Sequence, residues 1–182
     1  MSISPEDRAA LVSLARSAVE STVRGTPRPK LASADGILGE SRGCFVTLTN
    51  AGDLRGCIGM FEPRGPLGET IIEMGRSAAR DPRFVTNPIT PGELAELTLE
   101  VSVLSPLTPT GEPDKLTVGE HGIYIVAGGR AGCFLPEVAT DMGWSAEQFL
   151  SYCCRSKAGL PADAWRQPGT TVYLFTSEKF EH

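Results

Sequence analysis

Apolar residues recur at two different periods along this chain, and the switches between them outline its elements. In the opening stretch Leu11, Leu14, Ala15 and Ala18 fall at helical spacing. Ser4-Pro5-Glu6-Asp7 supplies a cap, a first-turn proline and acids for the positive end of the helix dipole. Gly25 and Pro27 stop that helix, and residues 25–43, rich in Gly and Pro, read as an ordered loop. The period then changes to two. Cys44, Val46 and Leu48 alternate with Phe45, Thr47 and Thr49. After Asn50-Ala51-Gly52-Asp53 a second run, LRGCIG, follows, so 44–59 reads as a hairpin. Helical spacing returns from about Leu67 to Arg80, with Ile71, Met74, Ala78 and Ala79 on one face. Asp81-Pro82 ends that helix, because a residue before proline avoids the helical region. LTLEVSVL, residues 97–104, is a strand with Leu99, Val101 and Val103 on one side.

The same order then repeats. GIYIV leads through Ala127-Gly128-Gly129 into RAGCFL, a helix follows, and TVYLF, residues 171–175, is a strand. GDLRGCIG, residues 52–59, and GGRAGCFL, residues 128–135, superpose without a gap, matching Gly56 with Gly132 and Cys57 with Cys133. GRSAAR and CRSKAG correspond near the two helix ends. This is the pattern of an internal duplication of a hairpin–helix–strand unit, spanning residues 44–105 and 121–176. Two half-sheets would bury one shared face, with helices packed against it. The second helix carries Ser145 and Gln148 as a capping box, Trp144 to staple onto Phe149, and Gly159 as a left-handed stop. Phe149, Tyr152 and Cys153 form its expected core stripe.

Composition narrows the function classes. The 182 residues carry 41% hydrophobic and 21% charged residues, which suits a globular domain with a real core. The net charge is −5 with no Lys/Arg run, so nucleic acid is not the expected partner, since phosphate neutralisation supplies most of that affinity. The N-terminus has early acids and no continuous apolar stretch, hence no signal peptide, and no window spans a bilayer. Five cysteines, an odd number, point to free thiols and a cytoplasmic location. No CxxC pair sets zinc spacing, so no metal site is expected. Gly36, Gly39 and Gly43 lack the GK[ST] of a phosphate loop, and no GxSxG elbow occurs.

Chemistry concentrates in LRGCIG. Strand alternation puts Arg55, Cys57 and Gly59 on one face, and a guanidinium beside a thiol favours the thiolate. A bare Gly59 would leave room beside the sulfur. Equally, free cysteine behaves as a small buried hydrophobe, so Cys57 admits both readings. Cys133 has Ala131 where Cys57 has Arg55, so only the first copy carries a charge beside its thiol. Residues 55–83 also hold Arg64, Arg76, Arg80 and Arg83 and no lysine. These arginines would form either an anion site or surface pairs with Glu69, Glu73 and Asp81. Of two histidines, His121 and the terminal His182, the first reads as a turn residue or as a proton carrier to Cys57.

GCFVTL, LRGCIG, AARDPRF, LEVSVLSP, EHGI and LPEVATDMGWSAEQFLSYCCRSKAGLPADAW resemble the AMMECR family, over residues 5–176 as one domain. The resemblance implies an α+β fold, an antiparallel sheet with flanking helices, in a larger and a smaller lobe around a cleft. It implies no established reaction and no known cofactor. It points to LRGCIG as the functional segment, and to a Memo-like or radical SAM protein as partner. Two functions follow as expectations. One is an enzyme or enzyme component on a small anionic substrate, with Cys57, Arg55 and His121 catalytic and Gly56, Gly59, Arg76, Arg80 and Arg83 binding. The other is a non-catalytic adaptor for such a partner.

Overall fold

The structure is a computed structural model that describes residues 3–63 and 65–181; Arg64 and His182 lie outside the described residues. Its elements are helices α1 (Pro5–Arg24), α2 (Leu67–Ala78), α3 (Pro136–Asp141) and α4 (Ala146–Cys153). The strands are β1 (Cys44–Asn50), β2 (Asp53–Met60), β3 (Leu97–Leu104), β4 (Thr108–Thr110), β5 (Gly122–Ala127), β6 (Arg130–Phe134), β7 (Thr170–Phe175) and β8 (Ser177–Glu181). The expected α+β architecture is present. No described helix is long and apolar enough to cross a membrane.

The chain forms two compact units, one running to Leu104 and joined by the segment from Glu178, the other Ser105–Ser177. In the first the sheet order is β2-β1-β3-β8, and in the second β4-β7-β5-β6. Each contains an antiparallel hairpin whose first strand also pairs antiparallel with the strand after the helix, β1 with β3 and β5 with β7. The fourth strand in each case comes from the other end of the pattern. β8, late in the chain, borders β3, and β4, which follows β3, borders β7. Neither short strand is marked by alternation in the sequence, and neither was expected.

Local signals account for the helix ends. Ser4 accepts from the Asp7 N–H, Gly25 adopts φ 69°, and Ser145 and Gln148 make the reciprocal capping box. Between Cys153 and Gly159 the last helix widens into a π turn, Cys154–Ala158. Trp144 packs against the second core cluster, which includes Phe149. Its ring stacks on Tyr152 at 4.4 Å and packs on Phe134, which stacks on Phe149. Tyr152 is therefore at the surface, not in the core stripe with Phe149 and Cys153. The first unit's core joins α1, α2 and the helix-facing side of its sheet: Leu11, Ala15, Val46, Leu48, Ile71 and Val101 are all fully covered.

Candidate functional site

β2 owes its placement to Gly56. Register sets Gly56 opposite Leu48 and Ile58 opposite Val46, so both face the helices with those buried residues. A Cβ on Gly56 would lie 2.1 Å from the carbonyl oxygen of Ala78, the last residue of α2. Only a missing side chain lets the helix end approach so closely. Gly132 does the same in the second unit, where a Cβ would lie 2.4 Å from the Ala158 nitrogen. Gly56 is thus a packing residue beneath a helix end, not a substrate contact. Gly59 is likewise filled. The Phe45 ring lies 2.2 Å from where its Cβ would be, so the expected open space beside the sulfur holds an aromatic ring.

Arg55 does not stand beside Cys57 as alternation predicts. Leu48 faces Gly56 while Thr49 faces Leu54, which makes Arg55 the extra residue of a β-bulge. Bulging re-aims its guanidinium. Nε donates to Glu93 at 2.5 Å, and Nη2 donates to the other Glu93 oxygen at 3.1 Å and to the Asn87 carbonyl at 3.2 Å. A carboxylate that accepts bidentately outcompetes a thiol for this cation. The same contact, with help from Asn50, holds the Glu93 carboxyl below its ordinary range against the opposing effect of burial.

Cys57 has a different set of neighbours. Its Sγ accepts from the Thr47 hydroxyl at 3.1 Å, on the sheet face away from the helices. Its backbone is held by the Asp81-Pro82-Arg83 turn: the N–H donates to Asp81 Oδ2 at 3.0 Å and the carbonyl accepts from Arg83 Nη2 at 3.1 Å. β2 is an edge strand, and this turn supplies the partners that a fifth strand would have supplied at Cys57. The Asp81 carboxylate, 1% exposed, also accepts from the Arg83 N–H and Nε at 3.0 Å. The Arg83 guanidinium first, and then the Cys57 and Arg83 amides, hold it well below the usual carboxylate range, although burial opposes them. Arg83 is therefore committed to Asp81 and to the strand, not to an anion beside Arg76 and Arg80.

The other thiols are poor nucleophiles. Burial pushes Cys44 up to about 12 and Cys133 to about 11, and raises Cys153 and Cys154 as well. Cys44, Cys153 and Cys154 are buried, whereas Cys57 is partly exposed. Iodoacetamide on the folded protein should label Cys57 before these three. Mass spectrometry of a time course checks this, and equal labelling of Cys57 and Cys44 would show that the sulfur is sealed.

Arg76 and Arg80, one turn apart near the end of α2, line an open groove of about 690 Å³ with Arg28, Ile58, Glu73 and Ser77. Their expected carboxylate partners are engaged elsewhere, Glu69 with Arg28 and Asp81 with Arg83. Among the described residues no carboxylate forms an ion pair with Arg76 or Arg80. Glu73 shares the groove with them without closing such a pair. The groove is on the helix side of β2, where Ile58 points, and the Cys57 thiol is on the other side. The thiol and the helix arginines, read in sequence as one site, are on opposite sides of β2.

His121 belongs to the second unit, where its Nδ1 accepts from the Thr117 N–H at 3.0 Å and closes a turn. Among the described residues no three His, Cys, Asp or Glu side chains converge to hold a metal. Sequence reasoning missed Arg28 and Glu93, and it took Asp81 only as a surface partner of the arginines, not as the buried acid that holds Cys57 and Arg83. Asp81 had a local signal, an acid whose side chain accepts from the amide two residues on around a proline. Arg28 and Glu93 had none, because their partners are distant in the chain.

A family model described as AMMECR1 matches residues 12–180, which includes most of both units. A protein of Methanothermobacter thermautotrophicus is 41% identical over 98% of this chain and 95% of its own. Protein TK0174 of Thermococcus kodakarensis is 45% identical over 94% of this chain and 88% of its own. The crystal structure of the uncharacterized protein PH0010 from Pyrococcus horikoshii superposes with a TM-score of 0.83 at 39% identity, covering 99% of this chain and 93% of that one.

Proposed function

The chain belongs to the AMMECR1 family, and on that premise we propose that its first unit binds a small anionic ligand in the groove of Arg28, Arg76 and Arg80. The observation that carries this reading is the pair Arg76 and Arg80, adjacent on one rim and without an ion-pair partner among the described carboxylates. Two arginines lining one groove, Arg76 in the last turn of α2 and Arg80 just past its end, offer donors to a phosphate or carboxylate. They also sit near the C-terminal end of α2, where cations complement the helix dipole, so each has a structural role as well.

The groove is on the helix side of β2 and the Cys57 thiol on the other, so the anion reading calls on no chemistry at Cys57. Arg55 and Arg83, which sequence reasoning assigned to catalysis and to anion positioning, are taken by Glu93 and Asp81. The function that best fits is recognition of an anion, with the thiol as a separate feature of the opposite face.

Inorganic pyrophosphate is a suitable probe. Titration by calorimetry at low salt should give saturable binding that weakens as salt is added. Arg76→Gln and Arg80→Gln should each weaken it about tenfold, the usual loss for one charged hydrogen-bonding partner. Arg130→Gln, in the second unit, should leave it unchanged. Absence of saturable binding, or binding indifferent to both α2 variants, would overturn the proposal.

A further inference from the structure

A second cavity adjoins the anion groove and has the opposite character. Its volume is about 500 Å³, and Ala79, Phe84, Val85, Pro88 and Ile89 form its apolar wall. Arg80 and Pro82 line both cavities. A group bound at Arg80 therefore has the apolar cavity beside it. Apart from Arg80, the charged groups at this second cavity are already neutralised. Asp81 is 1% exposed and paired with Arg83, and Arg55 is paired with Glu93. The Phe84 ring is flanked by the Arg55 and Arg83 guanidiniums, each 5.8 Å from its centroid, which fixes an aromatic wall in place. Val85 is 77% exposed, the most exposed large hydrophobic residue among those described. Each cavity has the size of a small-molecule site, the first with convergent cations and the second with an apolar lining.

We infer that the two cavities form one bipartite site for an organic anion, a phosphate monoester or a carboxylate, whose apolar body of about phenyl size lies against Phe84, Val85 and Ile89. This rests on the anion reading and deepens it by naming the ligand class. Arg80 is the joint: it pairs with the head group and marks where the apolar body begins. A head group alone fills only the arginine half. A purely apolar molecule leaves Arg76 and Arg80 without an anion. The site thus selects molecules that carry both parts.

Two matched pairs of probes test this on the full chain: inorganic phosphate against phenyl phosphate, and acetate against benzoate. Within at least one pair the aromatic member should bind about tenfold tighter, the gain for burying one face of a phenyl ring. The pair that shows the gain identifies the head group. Phenyl protons should give intermolecular NOEs to the Val85 and Ile89 methyl groups. Val85→Asn, at a position too exposed to threaten folding, should reduce the aromatic gain while leaving inorganic phosphate or acetate affinity unchanged. Arg80→Gln should weaken both members of the pair. Equal affinity within both pairs, or NOEs to residues elsewhere, overturns the bipartite site while the anion reading stands. If no probe and no pyrophosphate binds at all, the anion reading falls and this inference falls with it.

Discussion

Gly56→Ala should destabilise the first unit by about 3 kcal/mol, although alanine is the better strand residue by roughly 0.5–1 kcal/mol. The added carbon would sit 2.1 Å from the Ala78 carbonyl oxygen and 3.0 Å from its carbonyl carbon. These are backbone atoms at the end of a helix that is itself packed on α1 and β1, so no side-chain rotation relieves the clash. Either β2 or the end of α2 must move, and the rim that carries Arg76 and Arg80 moves with the latter. Gly132→Ala, which meets the Ala158 nitrogen at 2.4 Å, should cost a similar amount in the second unit. Gly92→Ala is the control. Its Cβ would meet nothing within 4 Å, and its effect should stay within about 0.5 kcal/mol. Urea denaturation followed at Trp and far-UV signals measures all three. A Gly56→Ala protein as stable as the parent would mean that β2 and α2 are not in the contact described here.

Asp81→Asn should cost about 2–3 kcal/mol at neutral pH, through loss of charged hydrogen bonds at a covered carboxylate. The Arg83 side chain is 56% exposed, so water recovers part of its share, and the main loss is at the Cys57 and Arg83 amides. The pH dependence has a definite sign. The folded-state value of Asp81 lies below the unfolded value of about 3.9, so the folded protein resists protonation there. Its contribution is fully present above about pH 4 and is lost as pH falls further toward the folded value. The gap in stability between parent and Asp81→Asn should be constant from pH 7 to 5 and close progressively below pH 4. Glu93, lowered by Arg55, adds an acid-sensitive contribution of the same sign that both proteins share. A gap that widens on acidification would contradict the Asp81–Cys57–Arg83 arrangement. Cys57 labelling should also quicken in Asp81→Asn, because the edge of β2 is then held less firmly.

Much of the architecture is legible in residue pattern because it is local. Ser4, Gly25, Ser145, Gln148 and Gly159 act on amides and carbonyls within a few positions of themselves, and each occupies its expected place. The matched Gly56 and Gly132 mark the same close approach of helix to strand in both units. β4 and β8 were illegible for the converse reason. Each is short, and its strand character comes from a neighbour contributed by a distant segment.

The candidate site divides along the same line. Arg76 and Arg80, read from their spacing as neighbours, line one groove although the helix ends between them. Periodicity failed at Arg55, where a single extra residue in β2 turns the side chain away from the thiol and toward Glu93. Alternation assumes an unbroken ladder, and nothing in LRGCIG marks the bulge. Helices, hairpins and their stops follow from hydrogen bonds between near neighbours, which the order of residues prescribes directly. The partner of each arginine, and the face of the sheet on which a thiol or a groove is found, depend on which carboxylates remote chain segments bring within reach. A guanidinium on a long flexible stem takes the closest acid in space, and closeness in space is a property of the assembled fold.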